Sequence, residues 1–210
     1  MTISATALNA VSVNDSKREI REAARAKRKA QPDKDELSRA ICRTFAGLSE
    51  YQAAETILYY LDVRDEVRTR HDLPAALARG KRIIVPYCAG GRLELFHLES
   101  LEELAVGKFG ILEPRPELRE LAAKRVEIAV VDLVMAPGVA FDRRGGRLGH
   151  GLGYYDKLLE GARPDAPIVA LAFECQMFAE IPTQAHDVRM DRIVTERGVH
   201  DCRIARASDA

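Results

Sequence analysis

The chain has 210 residues, of which 47% are hydrophobic and 30% are charged, a composition typical of one globular domain with a sizeable core. Its 32 lysines and arginines balance its 32 aspartates and glutamates, which gives no general reason to expect binding to nucleic acid or to a membrane surface. The four cysteines are widely spaced and form no C-x-x-C pair, so we expect reduced thiols in a cytoplasmic protein. No apolar run is long enough to span a bilayer, and the first residues lack the basic and apolar regions of a signal peptide.

The first predicted element is a basic helix. Ser16 and Glu19 match the S-x-x-E capping box, which predicts a helix that begins at Lys17. Basic side chains recur at helical spacing along one stripe of this helix: Lys17, Arg21, Arg25 and Arg28. Charge alone favours a solvated basic face for this stripe.

A second helix is predicted after Pro32, with Asp33 as its N-cap. It carries an apolar stripe that is typical of core packing and implies no chemistry. The stripe consists of Leu37, Ile41, Phe45 and Leu48.

Strands and helices alternate along the rest of the chain. Apolar runs predict strands over residues 55–63, 82–88, 92–98, 128–135 and 168–173. A helix over 71–79 is expected to end at Gly80, and Ala89-Gly90-Gly91 indicates a hairpin. The pattern predicts one three-layer α/β domain over residues 16–204, with a mainly parallel sheet flanked by helices and a small antiparallel hairpin. We expect flexible ends over residues 1–15 and 205–210.

The most informative stretch is Ala136–Leu159, which reads APGVAFDRRGGRLGHGLGYYDKLL. It follows a predicted buried strand and runs into a predicted helix, with glycines and arginines interleaved between them. Glycines let backbone N–H groups approach a phosphate, and a helix N-terminus adds its own donors. Phosphate binding is therefore favoured over a plain connector, and Asp156 falls in the first helical turn, where a carboxylate suits a cation. The loop matches neither a Walker A motif nor the dinucleotide fingerprint.

The segment PGVAFDRRGGRLGHGLGYYD resembles the signature of the 5-formyltetrahydrofolate cyclo-ligase family, close to PGxxFDxxGxRLGxGxGYYD. The resemblance extends over roughly Lys17 to Val199. It implies a three-layer α/β fold and a ligase that converts 5-formyltetrahydrofolate and MgATP into 5,10-methenyltetrahydrofolate, ADP and phosphate. In this chemistry, phosphorylation of the formyl oxygen precedes ring closure by the neighbouring nitrogen.

The resemblance also implies an ATP site. The family begins with a K-x-x-x-R pair on its first helix, matched here by Lys17 and Arg21, whereas the other basic residues of the stripe receive no such support. The remaining implied ATP contacts are loop residues: Arg147, Leu148, Gly149, His150, Gly151, Leu152, Gly153, Tyr154 and Tyr155. The implied catalytic residues are Arg147, Tyr154 and Asp156.

The folate and metal sites follow from the same resemblance. The family's DE-x-x-T segment is matched by Asp65, Glu66 and Thr69. The implied folate contacts are Leu61, Glu66, His150, Gly151, Leu152, Gly153 and Tyr154. Asp156 and Asp187 are the implied Mg²⁺ ligands, in keeping with that ion's preference for oxygen. Asp191 is interpreted as a loop-capping carboxylate and His186 as a local hydrogen-bonding residue.

The chain departs from the family at two loop positions. His150 stands where many members have arginine, and Leu152 where glycine or lysine is usual. An unperturbed histidine is largely neutral near pH 7, so the charge of the loop differs, and Leu152 is expected to narrow the pocket. The segments Gly110–Pro114 and FECQ, residues 173–176, also resemble the family, with no role that the sequence reveals.

Two other functions stay open. The altered loop is compatible with an ATP-dependent ligase or kinase that uses a different acceptor on the same scaffold. The basic first helix is compatible with a non-catalytic nucleotide- or RNA-binding relative, although the neutral net charge and the intact carboxylates argue against it. We expect 5-formyltetrahydrofolate and ATP as the binding partners, with no nucleic acid and no membrane.

Overall fold

The computed structural model describes residues 5–107, 110–184 and 187–207, with side chains from residue 14 onward. Its helices are α1 (Ala5–Ala30), α2 (Lys34–Ala46), α3 (Ser49–Ala53), α4 (Leu73–Ala78), α5 (Pro116–Arg119), α6 (Tyr154–Leu159) and α7 (Cys202–Ala207). Its strands are β1 (Thr56–Leu58), β2 (Arg82–Ala89), β3 (Arg92–Leu98), β4 (Leu104–Val106), β5 (Leu112–Pro114), β6 (Arg125–Val126), β7 (Leu133–Ala136), β8 (Ala140–Phe141), β9 (Arg147–Leu148), β10 (Ile168–Leu171), β11 (Arg192–Thr195) and β12 (Gly198–Asp201).

Eight of these strands form the central sheet, in the order β12-β11-β10-β7-β1-β2-β3-β6. The five neighbours from β11 to β2 are parallel, and β3, β6 and β12 are added antiparallel at the two ends. The chain passes from β1 outward to β2, then crosses back beyond β1 to β7 and continues to β10 and β11. The order of the strands therefore reverses between β1 and β7.

Alternate residues of the central strands pack on opposite faces of the sheet. In β1, Ile57 joins a core cluster with residues of α2, α3 and α4, whereas Leu58 joins a second cluster with residues of α6 and α7. A strand buried on both faces accounts for the continuous apolar runs of the sequence. The predicted three-layer α/β domain with a mainly parallel sheet is confirmed.

The long helix α1 lies over the segment that follows β7. Ala24 is fully buried in a third apolar cluster with Val139, Ala140, Leu148 and Ile181. This contact brings one face of α1 against the loop that the sequence singles out.

The predicted start of α1 is wrong, whereas α2 begins directly after Asp33 as predicted and lacks only the capping bond. α1 begins at Ala5, so Ser16 and Glu19 lie inside the helix and form no cap at Lys17. Inside a helix the backbone N–H groups already donate to the preceding turn, so a capping box has no role there. Asp33 precedes α2 with φ 52° and ψ 30°, and its side chain makes no capping hydrogen bond, because an N-cap side chain needs an extended backbone to reach back.

Several strands are shorter than the apolar runs predicted. The run over 128–135 begins with a short 3₁₀ turn at Ile128–Val130, and Val130 is 46% exposed. Asp132 interrupts the run, since its carboxylate accepts hydrogen bonds from the N–H groups of Glu55 and Thr56, at the start of β1. β10 ends at Leu171 rather than at residue 173. No helix within the described residues is long and apolar enough to cross a bilayer.

The run over 55–63 also leaves the sheet early, after β1 ends at Leu58. The hydroxyl of Tyr60 donates to the carbonyl of Val67, and the hydroxyl of Thr69 donates to the carbonyl of Tyr60 at 2.5 Å. These two bonds close a compact loop at the carboxyl end of β1. The helix predicted over 71–79 is observed as α4, and Gly80 follows it with φ 75° as expected for a C′ glycine.

Candidate active site

The reversal of strand order between β1 and β7 marks the place where open α/β sheets bind ligands. The loop with Glu66 follows β1, and the glycine-rich loop follows β7. The two segments that carry most of the predicted site residues are therefore brought together by the topology, although about 80 residues separate them in the sequence.

Asp142 holds the first half of the glycine-rich loop. Its buried carboxylate accepts hydrogen bonds from the N–H groups of Arg144, Gly146 and Ile181, at 2.9, 2.8 and 2.7 Å. A Cβ on Gly146 would lie 2.5 Å from this carboxylate, and one on Gly145 would lie 2.2 Å from the carbonyl oxygen of Met190. Two of the loop glycines are thus required by close packing.

Gln176 and Arg28 fix the beginning of the same loop. The buried amide of Gln176 donates to the carbonyls of Gly138 and Val139, both at 3.0 Å, while its oxygen accepts from the N–H of Phe173. Arg28 also donates to Gly138, at 3.3 Å. The glutamine of the FECQ segment therefore joins the ends of β7 and β10, a role that its sequence gave no means to infer.

The loop separates two cavities. The larger has a volume of about 560 Å³, within the range of small-molecule sites, and the smaller about 210 Å³. Four residues line both cavities: Arg147, Gly149, Gly153 and Asp156. A ligand in one cavity would consequently lie beside a ligand in the other.

The larger cavity holds most of the residues predicted to contact folate. Leu61 and Glu66 line it, together with His150, Leu152, Tyr154 and Tyr155. Its opposite wall, formed by residues 86–88 and 111–113, escaped the sequence analysis. Residues 111–113 belong to the Gly110–Pro114 motif, so this motif forms part of the lining of the larger cavity.

Glu66 is paired with His150, one of the two loop residues that depart from the motif of the family that the sequence resembles. The Nε2 atom of His150 lies 3.2 Å from Oε1 of Glu66, and the other carboxylate oxygen accepts from the N–H of Val63 at 3.1 Å. Only 6% of the Glu66 side chain is exposed, against 39% for His150. His150 therefore lines the larger cavity and is not among the residues that line the smaller one.

Tyr155 packs against both faces of the core, and its ring lies 5.9 Å from the Arg147 guanidinium carbon. Its hydroxyl is buried without a hydrogen-bond partner among the described residues. Burial raises the pKa of Tyr155 above the usual range, so the phenol stays protonated and can donate. Leu152 is 66% exposed and lines the same cavity without closing it.

The smaller cavity gathers charged groups that neutralise one another. Nζ of Lys17 lies 3.0 Å from Oδ2 of Asp187, and Nη2 of Arg147 lies 2.5 Å from Oδ1 of Asp156. The Nε atom of Arg147 is buried and has no partner within the described part of the chain. The remaining predicted residues that line this cavity are Arg21, Leu148 and Gly151.

Arg21 is attached to the loop itself. Its Nε donates to the carbonyl of Gly149 at 3.0 Å, and a Cβ on Gly151 would lie 3.7 Å from its guanidinium. Burial, followed by the charge of Arg25, lowers the pKa of Arg21 from 12.5, but an arginine remains charged under such a shift. α1 thus places a permanent cation against the glycine-rich turn.

Every residue that the sequence assigned to ATP, folate or Mg²⁺ lines one or both cavities. Asp191 accepts from the N–H of Ile168 at 2.9 Å, which agrees with its interpretation as a loop-capping carboxylate. His186 lies outside the described residues. Asp142, Gln176, Arg25 and Arg64 were missed, and for Asp142 the signal was present, because aspartate followed closely by glycines is typical of side-chain-capped turns.

The protein is an α/β protein of the ligand-binding type. It has a mainly parallel sheet, and a loop rich in glycine and arginine separates two cavities at the point where the strand order reverses. The model of the 5-formyltetrahydrofolate cyclo-ligase family matches residues 13–196. The chain belongs to this family and is an enzyme of the ligase class.

Relatives from distant organisms share this similarity. The chain is 32% identical over 179 residues to the probable 5-formyltetrahydrofolate cyclo-ligase of Schizosaccharomyces pombe, covering 79% of this chain and 86% of the relative. It is 30% identical over 148 residues to the cyclo-ligase of Escherichia coli K12, covering 68% of this chain and 78% of the relative.

A solved structure resembles the whole fold. The NMR structure of Aquifex aeolicus 5,10-methenyltetrahydrofolate synthetase superposes with a TM-score of 0.77 at 33% identity, covering 89% of this chain and 93% of the other. A Mycoplasma pneumoniae protein of the same name superposes with a TM-score of 0.68 at 21% identity, a likeness of fold alone.

Proposed function

We propose that the protein cyclises 5-formyltetrahydrofolate to 5,10-methenyltetrahydrofolate with ATP and Mg²⁺, releasing ADP and phosphate. The observation that supports this proposal most strongly is the pair of adjoining cavities with four shared lining residues. A reaction between a folate and a nucleotide needs the formyl oxygen and the γ-phosphate to meet, and neighbouring sites supply that proximity.

The reaction has a leaving-group problem. The oxygen of a formyl amide does not depart unaided, so the formyl oxygen attacks the γ-phosphorus while the bond from phosphorus to ADP breaks. The anilino nitrogen then attacks the activated formyl carbon, phosphate leaves with the oxygen, and the nitrogen releases its proton as the five-membered ring closes. No nucleophilic side chain is required, and positioning with charge neutralisation supplies most of the catalysis.

The smaller cavity and its shared wall suit the phosphates of ATP. Lys17, Arg21 and Arg147 provide three cations, and the glycines between residues 149 and 153 leave backbone N–H groups accessible. The unpartnered buried Nε of Arg147 is a donor that a phosphate oxygen would satisfy. On binding, Lys17 and Arg147 exchange their carboxylate partners for phosphate.

Asp156 and Asp187 fit Mg²⁺. Both line the smaller cavity, and the exchange just described would free them from Arg147 and Lys17. The described residues contain no group of three or more candidate metal-ligating side chains, so phosphate oxygens and water would complete the shell, as is usual for this ion. When bound, Mg²⁺ neutralises the charge on the transferring phosphoryl group.

The larger cavity suits the folate. The buried Glu66 carboxylate is an acceptor for pterin N–H groups, and the apolar wall that includes Leu61 matches the faces of the ring. Tyr154, at the start of α6, lines this cavity, where its ring would pack on the pterin and its hydroxyl would donate a hydrogen bond.

Turnover of purified protein tests the proposal. Protein, MgATP and 5-formyltetrahydrofolate are mixed, and methenyltetrahydrofolate is followed by its absorbance while ADP is measured in parallel. We expect one ADP for each methenyl product, and no product without ATP. ADP release with other formyl or carboxyl acceptors, and none with this folate, would favour the different-acceptor alternative instead.

A cytoplasmic location and a catalytic unit spanning residues 16–204 are part of the same proposal. Removal of residues 1–13 should leave turnover unchanged, because the described cavity-lining residues begin at Asn14. A large loss of turnover would instead extend the catalytic unit toward the start of α1.

A further inference from the structure

The charged residues that line the larger cavity fall into two groups. Every carboxylate has a cationic or histidine partner: Glu66 with His150, Glu113 with Arg119, and Asp156 with Arg147. Two cations, Arg25 and Arg64, line the same cavity and pair with no carboxylate within the described part of the chain. Arg25 and Arg64 are therefore the charged groups of this lining that are most available to an anionic ligand.

The backbone of Arg64 is held in an unfavourable conformation. Its φ of 54° lies in the left-handed region, which non-glycine residues seldom adopt and which commonly marks functional positions. The neighbouring residues maintain it, since Glu66 and Val63 exchange two hydrogen bonds at 3.1 Å and Asp65 pairs with Lys34 at 3.3 Å. The exposed Arg64 side chain is thus presented from a braced turn.

Arg25 is held from the opposite side by α1. The residue before it, Ala24, is fully buried against the loop, and Arg28 one turn later is 96% buried through its bond to Gly138, leaving 4% exposed. Arg25 lies one turn after Arg21 on the same helix, and its positive charge adds to the effect of burial in lowering the pKa of Arg21. The helix keeps two like charges together beside the cavities, which is costly unless an anion binds there.

The two ends of the larger cavity carry polar groups of opposite charge. Glu66 is buried, whereas Arg25 and Arg64 are exposed, so the cavity has a carboxylate at its base and cations at its mouth. The proposed folate has the matching polarity, with hydrogen-bond donors on its pterin and carboxylates on the glutamate at its other end.

We propose that Arg25 and Arg64 form a carboxylate-binding subsite at the mouth of the larger cavity, which binds the glutamate tail of the folate. This inference rests on the proposed function and extends it to substrate recognition. Guanidinium groups suit the role because they bind carboxylates through paired N–H donors and remain charged at every relevant pH.

The test compares two ligands that differ only at the tail. Equilibrium binding is measured for 5-formyltetrahydrofolate and for 5-formyltetrahydropteroate, which lacks the glutamate. The variants are Arg25→Gln and Arg64→Asn, the latter chosen because asparagine tolerates the left-handed backbone. Arg18→Gln is the matched control, since Arg18 is an exposed arginine of α1 that pairs with Asp15 and lies outside the cavity lining.

We expect each variant to weaken binding of the folate by about 3- to 10-fold, as for partly exposed charged contacts, and the double variant to weaken it further. The truncated ligand should bind all variants equally, and Arg18→Gln should change neither affinity. The preference of the wild type for folate over pteroate should also fall as salt is raised.

Equal weakening for both ligands, or no change for either, would overturn the subsite. Turnover is measured on the same preparations, so that a result against the subsite can be distinguished from a result against the proposed function. If the wild-type protein cyclises the folate but binds the two ligands equally in every variant, the proposed function stands and the proposed subsite is refuted. A wild type that neither binds nor cyclises the folate refutes both.

Discussion

The two cavities beside the glycine-rich loop differ in how their charges are used. In the smaller cavity, the cations Lys17 and Arg147 are already paired with the carboxylates Asp187 and Asp156. In the larger cavity, the carboxylates are also paired, but the cations Arg25 and Arg64 have no carboxylate partner within the described residues, and much of the wall is apolar. The smaller cavity must exchange its internal partners to bind a ligand, whereas the larger cavity also has two cations that are already available.

This difference indicates which site depends more strongly on its own charged residues. A site built from mutually neutralised charges loses much when one member is removed, because the remaining partner is left buried and unpaired. A preformed cavity distributes binding over shape, apolar contact and a few polar groups, so single substitutions there cost less. The variants below test this ordering.

The largest effect is expected for Asp156→Asn. The amide keeps the shape of the carboxylate but removes the charge proposed to bind Mg²⁺, so turnover should fall on the order of a hundredfold or more. Asp165→Asn is the control, because Asp165 is an exposed aspartate just after α6, paired with Arg163. EDTA should abolish wild-type turnover and Mg²⁺ should restore it, and full activity in EDTA would rule out a metal.

A smaller effect is expected for Lys17→Ala. Loss of the ammonium group should raise the apparent KM for ATP about tenfold and change the KM for folate little, as expected for one charged contact to phosphate. Lys29→Ala is the control, since Lys29 is exposed on the same helix. Lys27 is less suitable, because its ammonium lies 4.6 Å from the centre of the Phe178 ring. Equal effects of Lys17 and Lys29 would mean that only general charge matters.

His150→Ala should act on the other ligand. His150 contacts Glu66 in the larger cavity, so its removal should raise the folate KM about 2- to 5-fold, the effect of one partly exposed hydrogen bond, with the ATP KM unchanged. His150→Gln, which retains a donor, should recover much of the loss. If His150 instead supplied charge to the phosphates, the ATP KM would rise and its dependence on pH would differ between wild type and His150→Arg.

The smallest effect is a change in thiol reactivity. Burial raises the pKa values of Cys42 and Cys202 to about 12, so neither should react in the native protein. Cys88 is exposed and lines the larger cavity, and its labelling by a disulfide reagent should slow several-fold with bound folate but not with ATP alone. Cys88→Ser should remove the protected signal, and protection by ATP would contradict the assignment of the cavities.

The parts of the site that depend on local sequence were predictable. The glycine-rich loop and the start of α6 were found because glycine spacing and a helix-forming run are local signals. The start of β7 was not predictable, because the apolar run over 128–135 also contains a 3₁₀ turn. Asp132 is the one polar residue that separates this turn from the strand. The start of α1 was predicted wrongly because a capping motif does not mark a helix start when it lies inside a longer helix.

Contacts between distant segments could not be derived from the residues themselves. Glu66 and His150 are 84 positions apart, and Lys17 and Asp187 are 170 apart, so only the packing of the sheet and α1 brings them together. Arg25 looked like any other residue of a basic helix face, and Arg64 like an ordinary loop residue. Their place at the cavity depends on tertiary structure, as does the role of Gln176 in holding the loop.

The most direct test of the account is the fate of the formyl oxygen. 5-Formyltetrahydrofolate labelled with heavy oxygen in its formyl group is incubated with the protein and MgATP, and the released phosphate is analysed by mass spectrometry. If the two cavities bring the formyl oxygen to the γ-phosphate, each phosphate formed with a methenyl product carries the label. Unlabelled phosphate released alongside methenyl product would contradict the proposed transfer across the shared loop.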